Sequence, residues 1–577
     1  MQPQPKFAMV SPLPISSPLW HQELRPDAAS SFTQAGVHQE VIPGDISDCK
    51  ALIIGGHDTH RGILVRSLRE IGIKHIVQCV QLLHGRKALE SQVFDVVLCD
   101  YYFENSSMTG QDLLDDLRRS QMLPYSTLFM MVSSEATYHK VCEIAEAALD
   151  SYLLRPHTTA TLQDRLLQAH HRKKTMATIF SAIEAGKLDV AAQLCIERFN
   201  HHAIYWLYAA RIGAELLIRL GEYPRAHELY ENIQSIKFMP WADLGIARIQ
   251  IEEGNYSDAQ KTLNLLIQEQ PNYAEIYDLM GQLHIEQGEL DSALIAYQKA
   301  SQLTPFSMVR LQKYASLAYL KGDQDTAVKV LLQVTRLGIH SKMFDCRSLV
   351  LLSICHFDGH DHKSISRVYD SMNGIYQKDS GNSRLKRLIA FCSVFKLLIE
   401  KKIDESIDWA QKISEEIFLE QFDFEDAINL LAALVRLRLH GVTLEEDVTW
   451  VSALSQRFCI SDAATEILCL AASGQAGFIE IIKNNHEYIS QAIQKKISPD
   501  ADAVSARSLM VLASKTRNAR VIESVSQILR RHSDEIDKSG SIKMIINDLK
   551  IKYCPQDCKI RLGAWNAREA GRIYIRI

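Results

Sequence analysis

Two groups of residues in this chain have types and spacings that could do chemistry. The first is a set of polar side chains that each close a short apolar run. Asp100 ends Val97-Leu98-Cys99-Asp100, Ser133 ends Met131-Val132-Ser133, and Tyr152 and the pair Arg155-Pro156 close the run that starts at Ser151. If those runs are parallel strands, a carboxylate, a hydroxyl, a phenol and a guanidinium stand around one crevice, because ligands in open α/β sheets bind beyond the carboxyl ends of the strands. The second group is a string of metal-ligand types, Cys355-His356-Phe357-Asp358-Gly359-His360-Asp361-His362. A zinc site needs partners from a second element, and this string falls on a turn between helices, so it is read as incidental. Cys554 and Cys558 have the wrong spacing for a redox pair. His170-His171-Arg172-Lys173-Lys174 reads as a solvated helix end.

The elements that would position the first group follow from hydrophobic pattern. Ala51–Ile54, His75–Val80, Phe94–Cys99, Thr127–Val132 and Ser151–Leu154 are apolar without polar alternation, which suits strands covered on both faces. Amphipathic stretches such as Arg61–Ile71 and Leu113–Arg119 lie between them. Five strands with intervening helices over residues 49–174 predict a doubly wound, five-stranded parallel sheet of flavodoxin-like type. Residues 1–48 hold seven prolines with serines and glutamines, and predict a flexible arm.

Beyond Lys174 the alternation stops and the pattern is helical. Gly254, Gly288 and Gly322 are 34 residues apart, as are Ala247, Gly281 and Ala315, and Ala259, Ala293 and Ala327. Pro271 and Pro305 add a fourth row at the same period. Small residues before and after each glycine let paired helices approach closely, and the glycine allows the tight turn between them. Four positions recurring together at this period resemble tetratricopeptide repeats, an all-α helical solenoid. Looser copies surround Gly186 and Gly221, and Gly359 with Ser364 and Val368 forms a degenerate one. The reading is repeats over 175–375, degenerate helical repeats over 376–550, and an unassigned tail over 551–577. A solenoid of this kind offers a concave surface to a protein or peptide ligand. Arg248, Asp278, Gln282, Gln312, Ser316 and Tyr319 are the candidate partner-binding positions. Ala247, Ala259 and Tyr297 are assigned to packing. This region carries no paired carboxylates, nucleophile–base set or glycine-rich phosphate loop.

The first domain resembles a two-component receiver of the CheY-like type over its whole length. The resemblance implies that Asp100 is the phosphate acceptor, Ser133 the Thr/Ser position, Tyr152 the switching aromatic, and Arg155 the replacement of the usual lysine before proline. Thr158–Leu162 continues the match. Receivers place two acidic residues after the first strand to hold Mg²⁺ with the acceptor, and Gly55 and Gly56 stand there instead. Magnesium relies on carboxylates to offset its dehydration. Asp58 is expected to cap the first helix and is a poor substitute ligand. Arg155 keeps the charge of lysine with a bulkier, planar fork.

Receiver plus repeats resembles the layout of auxiliary response regulators of the VieB type. It implies a non-enzymatic regulator in a two-component phosphorelay, with a degraded magnesium site and protein binding as its output. The implied partners are a sensor histidine kinase or another response regulator, and a ligand of the repeats. The alternatives are a phosphate sink accepting phosphate at Asp100 to drain a kinase, and a pseudo-receiver scaffold that is not phosphorylated. The 577-residue chain is 47% hydrophobic with a formal charge of −5, which excludes wholesale disorder and a basic nucleic-acid coat. It has no run of eighteen apolar residues, hence no expected membrane span. Twelve cysteines in apolar settings and no signal-like start lead to the expectation of a reduced, cytoplasmic protein.

Overall fold

In the computed structural model the described residues are 46–103, 109–119, 122–134, 151–339, 344–494, 503–536 and 541–554. The apolar runs form strands β1 (Lys50–Ile54), β2 (His75–Cys79), β3 (Val96–Asp100), β4 (Leu128–Ser133) and β5 (Ser151–Leu154). All pair in parallel, in the order β2-β1-β3-β4-β5. Helices α1 (Asp58–Ile71), α2 (Leu82–Ser91), α3 (Gly110–Arg119) and α4 (Thr159–Thr175) cover the sheet.

Side chains alternate across a strand, and the two cores divide on that rule. Ala51, Ile53, Val96, Leu98, Met130 and Val132 pack against α1 and α4. Leu52, Ile54, Val97, Cys99, Phe129 and Met131 pack against α2 and α3. Both faces are therefore apolar, as expected for every strand but one. β2 pairs only with β1, and His75, Val77 and Gln78 are exposed, because an edge strand is not covered as the central ones are. At the start, Ile46 and Cys49 are buried and joined by a turn, so the last residues assigned to a flexible arm belong to the domain. Residues 1–45 lie outside the described residues, as do 555–577 of the unassigned tail.

The helix α4 runs, across Met176, straight into α5 (Ala177–Glu184), the first helix of the array. Helices then follow in pairs to Tyr553. Gly254, Gly288 and Gly322 sit at φ +81°, +79° and +82°, the left-handed region that glycine enters without a steric penalty. Ala259, Ala293 and Ala327 are wholly buried, as the packing assignment requires. A Cβ on Gly281 would stand 2.6 Å from the ring of Tyr297, so the pair is a knob against a bare backbone. In the degenerate copy Gly359 has φ −81°, and the left-handed turn falls one residue later, on His360. Among the described residues no helix is long and apolar enough to cross a membrane.

Candidate functional site

The register of the sheet assembles the site. Asp100 is the last residue of the central strand, opposite Val132, and is 3% exposed. Ser133, the next residue of β4, is equally buried. β4 and β5 pair Ser133 with Leu154, and the Arg155 N–H donates to the Ser133 carbonyl at 2.8 Å. That bond delivers the Arg155 side chain to the crevice, where Nη2 donates to Asp100 Oδ1. Its other arm, Nη1, meets Nδ1 of His60 at 2.8 Å, so the imidazole nitrogen accepts. Tyr152 is 5% exposed and packs in the core shared with Leu52, Ile54 and Met131. The sheet thus brings Asp100, Ser133 and Arg155 together, with Tyr152 buried one strand position below.

Charge in the crevice is balanced by this chain's own groups. Burial pushes the Asp100 carboxyl above its usual range, while the Arg155 guanidinium and the Gly56 N–H bonded to it pull the other way. Burial also lowers His60, with Arg155 adding to the effect, which favours the neutral ring that can accept from the guanidinium. Arg61, 8% exposed, donates from Nη1 to the Gly55 carbonyl at 2.6 Å and from Nη2 to Asp58. His60 and Arg61 are site residues that the sequence reading did not single out. Their signal was present as polar residues in the first turn of α1, directly after the strand end.

The described part of the site offers few of the carboxylate donors that a divalent cation takes. Positions 55 and 56 carry no carboxylate, and a Cβ at Gly55 would lie 2.9 Å from Asp100 Oδ2 and 3.1 Å from the Arg61 side chain. The Asp58 side chain is 90% exposed and bonded to Arg61. Asp100 is bonded to Arg155. Among the described residues no three His, Cys, Asp or Glu side chains are grouped to hold a metal ion. The 355–362 string is used otherwise. Cys355 is buried, Asp358 is bonded to Arg436 and Gln324, and Asp361 caps a helix by accepting from the Ser364 N–H. Cys558 lies outside the described residues.

The candidate inner-face positions of the repeats fall into two groups. Arg248 pairs with Glu215 at 3.0 Å, Asp278 pairs with Arg310 at 2.8 Å, and Gln282 is half-buried. Gln312, Ser316 and Tyr319 were expected on an open concave face but are buried. Gln312 accepts from the Asp345 N–H at 2.6 Å and Ser316 from Arg347 at 3.4 Å, because the start of the helix Arg347–Asp358 packs against this part of the face. The basic patch is likewise not a solvated helix end. Lys173 is 4% exposed and donates to the Tyr125 carbonyl at 2.5 Å, and Arg172, also buried, lies over the Tyr208 ring. Tyr125 completes a junction that the sequence did not flag. Its N–H donates to Glu184 at 2.5 Å and its ring stacks on Phe180, with centroids 5.9 Å apart.

Comparison with known proteins agrees with this architecture. The family model described as a tetratricopeptide repeat matches residues 217–283. The chemotaxis protein CheY-3 of two Vibrio cholerae serotype O1 strains is 30% identical over 117 residues, 20% of this chain and 88% of the relative. The chemotaxis protein CheY of Pseudomonas aeruginosa is 28% identical over 123 residues, 21% of this chain and 97% of the relative.

Proposed function

Because the chain belongs, through its N-terminal domain, to the CheY-like receiver family and continues into tetratricopeptide repeats, we propose that it is a non-enzymatic response regulator attached to a two-component phosphorelay, with protein binding as its output. The receiver is the part that a sensor histidine kinase or another response regulator recognises. The repeats hold the partner that receives the signal. Asp100 marks the phosphorelay position, and the magnesium site around it is degraded. The expected compartment is the cytoplasm, where kinases and regulators of this kind meet.

The observation that carries this reading is the unbroken path from the receiver to the repeats. The carboxyl ends of β3, β4 and β5 gather Asp100, Ser133 and Arg155, and α4, the next element, continues across Met176 into α5. Receiver and repeats also share a sealed junction at Tyr125, Lys173 and Phe180. A stack of helix pairs fused in this way offers an extended surface for a protein ligand, so binding is the output that the layout supports.

A pairwise two-hybrid screen of the full chain against the sensor kinases and response regulators of its own cell tests the proposal. A specific interaction with a member of either class is the expected result. Silence against all of them would remove the signalling assignment.

A further inference from the structure

The donor set around Asp100 lacks the carboxylates a divalent cation needs, yet the site is not short of positive charge. Arg155 donates to Asp100 Oδ1 from one arm and is held by His60 Nδ1 on the other. Arg61 reaches the same corner, spanning the Gly55 carbonyl and Asp58. The two guanidinium groups thus flank the loop 55–58 where metal-binding acids would project. We infer that Arg155 and Arg61 replace a divalent cation at this site, that His60 is the positioning residue for Arg155, and that the receiver works by docking without accepting a phosphoryl group.

The physical argument has three parts. First, a planar guanidinium bonded to a buried carboxylate fixes direction as well as charge, which a compact hydrated ammonium does not. Second, a carboxylate engaged in that way is not a free nucleophile. To attack a phosphorus atom, Asp100 would have to leave Arg155 while buried at 3% exposure, and the guanidinium that neutralises it would have to be re-aimed at the incoming group. Third, glycine at 55 suits the arrangement, since a Cβ there would meet Asp100 Oδ2 and the Arg61 side chain at the short distances given above and both would have to shift to admit it. Gly56 is different: the nearest neighbour of an added Cβ would be Phe103 at 3.7 Å, an ordinary contact, so a side chain can start there without displacing Asp100 or Arg61.

This inference rests on the response-regulator reading, and its test fails separately from that reading. Purified full-length chain is titrated with Mn²⁺, read by the electron-spin signal of the free ion, and then incubated with acetyl phosphate with and without Mg²⁺, read by intact mass. The wild-type chain is expected to leave the Mn²⁺ signal unchanged at millimolar metal and to gain no phosphoryl mass. The variant Gly56→Asp with Arg155→Lys, which restores one acid and a point charge, is expected to bind Mn²⁺ at least ~10-fold more tightly than wild type. For His60, the readout is the slowed rotation of the Arg155 guanidinium seen by NMR: lost in His60→Ala and restored in His60→Gln, which still offers an acceptor. Mn²⁺ binding or Mg²⁺-dependent phosphorylation of the wild type overturns the inference, as does a double variant that binds no better. The regulator reading survives either result, and falls only if no kinase or regulator binds the chain.

Discussion

Asp358 and Arg436 stand 78 residues apart in the chain and are joined by two hydrogen bonds, Nε to Oδ1 at 2.8 Å and Nη2 to Oδ2 at 2.5 Å. Eleven residues earlier on each of the same two helices, Arg347 and Glu425 meet at 2.9 Å. Helices Arg347–Asp358 and Phe424–Leu439 are therefore tied in parallel at both ends, roughly 16 Å apart along the axes at ~1.5 Å per residue. The clasp buries the inner face on which Gln312, Ser316 and Tyr319 lie.

Cutting one partner of the clasp leaves a charge without its mate. Arg436→Ala strands the Asp358 carboxylate, which keeps only the Gln324 amide, and is expected to destabilise the helical region by about 2–4 kcal/mol. The double variant with Asp358→Ala should be less unstable than the sum of the two single changes. Urea unfolding followed by circular dichroism measures both; strictly additive losses would show that the pair is not coupled.

Asp426 makes the same region sensitive to pH. Burial, then the neighbouring Asp423, push its carboxyl up to about 7, against the pull of Arg387, whose Nη1 bonds to it at 2.6 Å. A folded value above the unfolded one means the stabilising contribution is complete below ~4 and is lost as pH rises through about 7. Stability of the helical region should therefore fall between about pH 4 and about pH 7, with a slope up to ~1.4 kcal/mol per pH unit, and level off above that. Asp426→Asn, which can still take part in the helix cap, should flatten that slope. An unchanged slope in the variant would assign the titration elsewhere.

Tyr125 is the test of the junction. Its ring covers Phe180 and its backbone is bonded to Lys173 and Glu184. Tyr125→Ala removes the stacked ring and should cost about 2 kcal/mol at the contact. Calorimetry should then show the receiver melting ahead of the helices, where the wild type melts as a coupled unit. Identical thermograms would mean that the ring contributes nothing to the coupling.

Two glycine substitutions of one chemical kind should have opposite signs. Gly281→Ala drives a methyl group into the Tyr297 ring and should destabilise by about 1–3 kcal/mol. Gly374, inside the helix His362–Lys378, has nothing within 4 Å of an added Cβ, and Gly374→Ala should stabilise by about 0.5–1 kcal/mol. Thermal denaturation of the two variants decides, and equal effects would contradict the packing account.

Much of this was legible because periodicity and strand ends are local signals. Gly254, Gly288 and Gly322 mark turns that only glycine enters cheaply, so their spacing reveals the repeat before any contact is known. The signal fades where His360 and Lys401 take the left-handed turns instead, since neither residue type announces such a conformation. Asp100, Ser133, Tyr152 and Arg155 were visible as strand-end residues, and the sheet order places them as neighbours. Burial of Gln312, Ser316 and Tyr319 was not legible. It depends on helices more than thirty residues later, and superhelical curvature has no local signature. Tyr125 and Lys173 were hidden for the same reason: each looks like an ordinary loop or helix-end residue until the first repeat covers it.

The most direct measurement is the affinity of the purified full-length chain for each sensor kinase and response regulator of its own cell, by biolayer interferometry, with and without Arg155→Glu. That substitution sets a negative charge against Asp100 at the centre of the receiver surface. A saturable complex with one kinase or regulator, weakened at least ~10-fold by Arg155→Glu, is the predicted result. No complex with any of them, or one indifferent to the substitution, would contradict a receiver-governed binding protein.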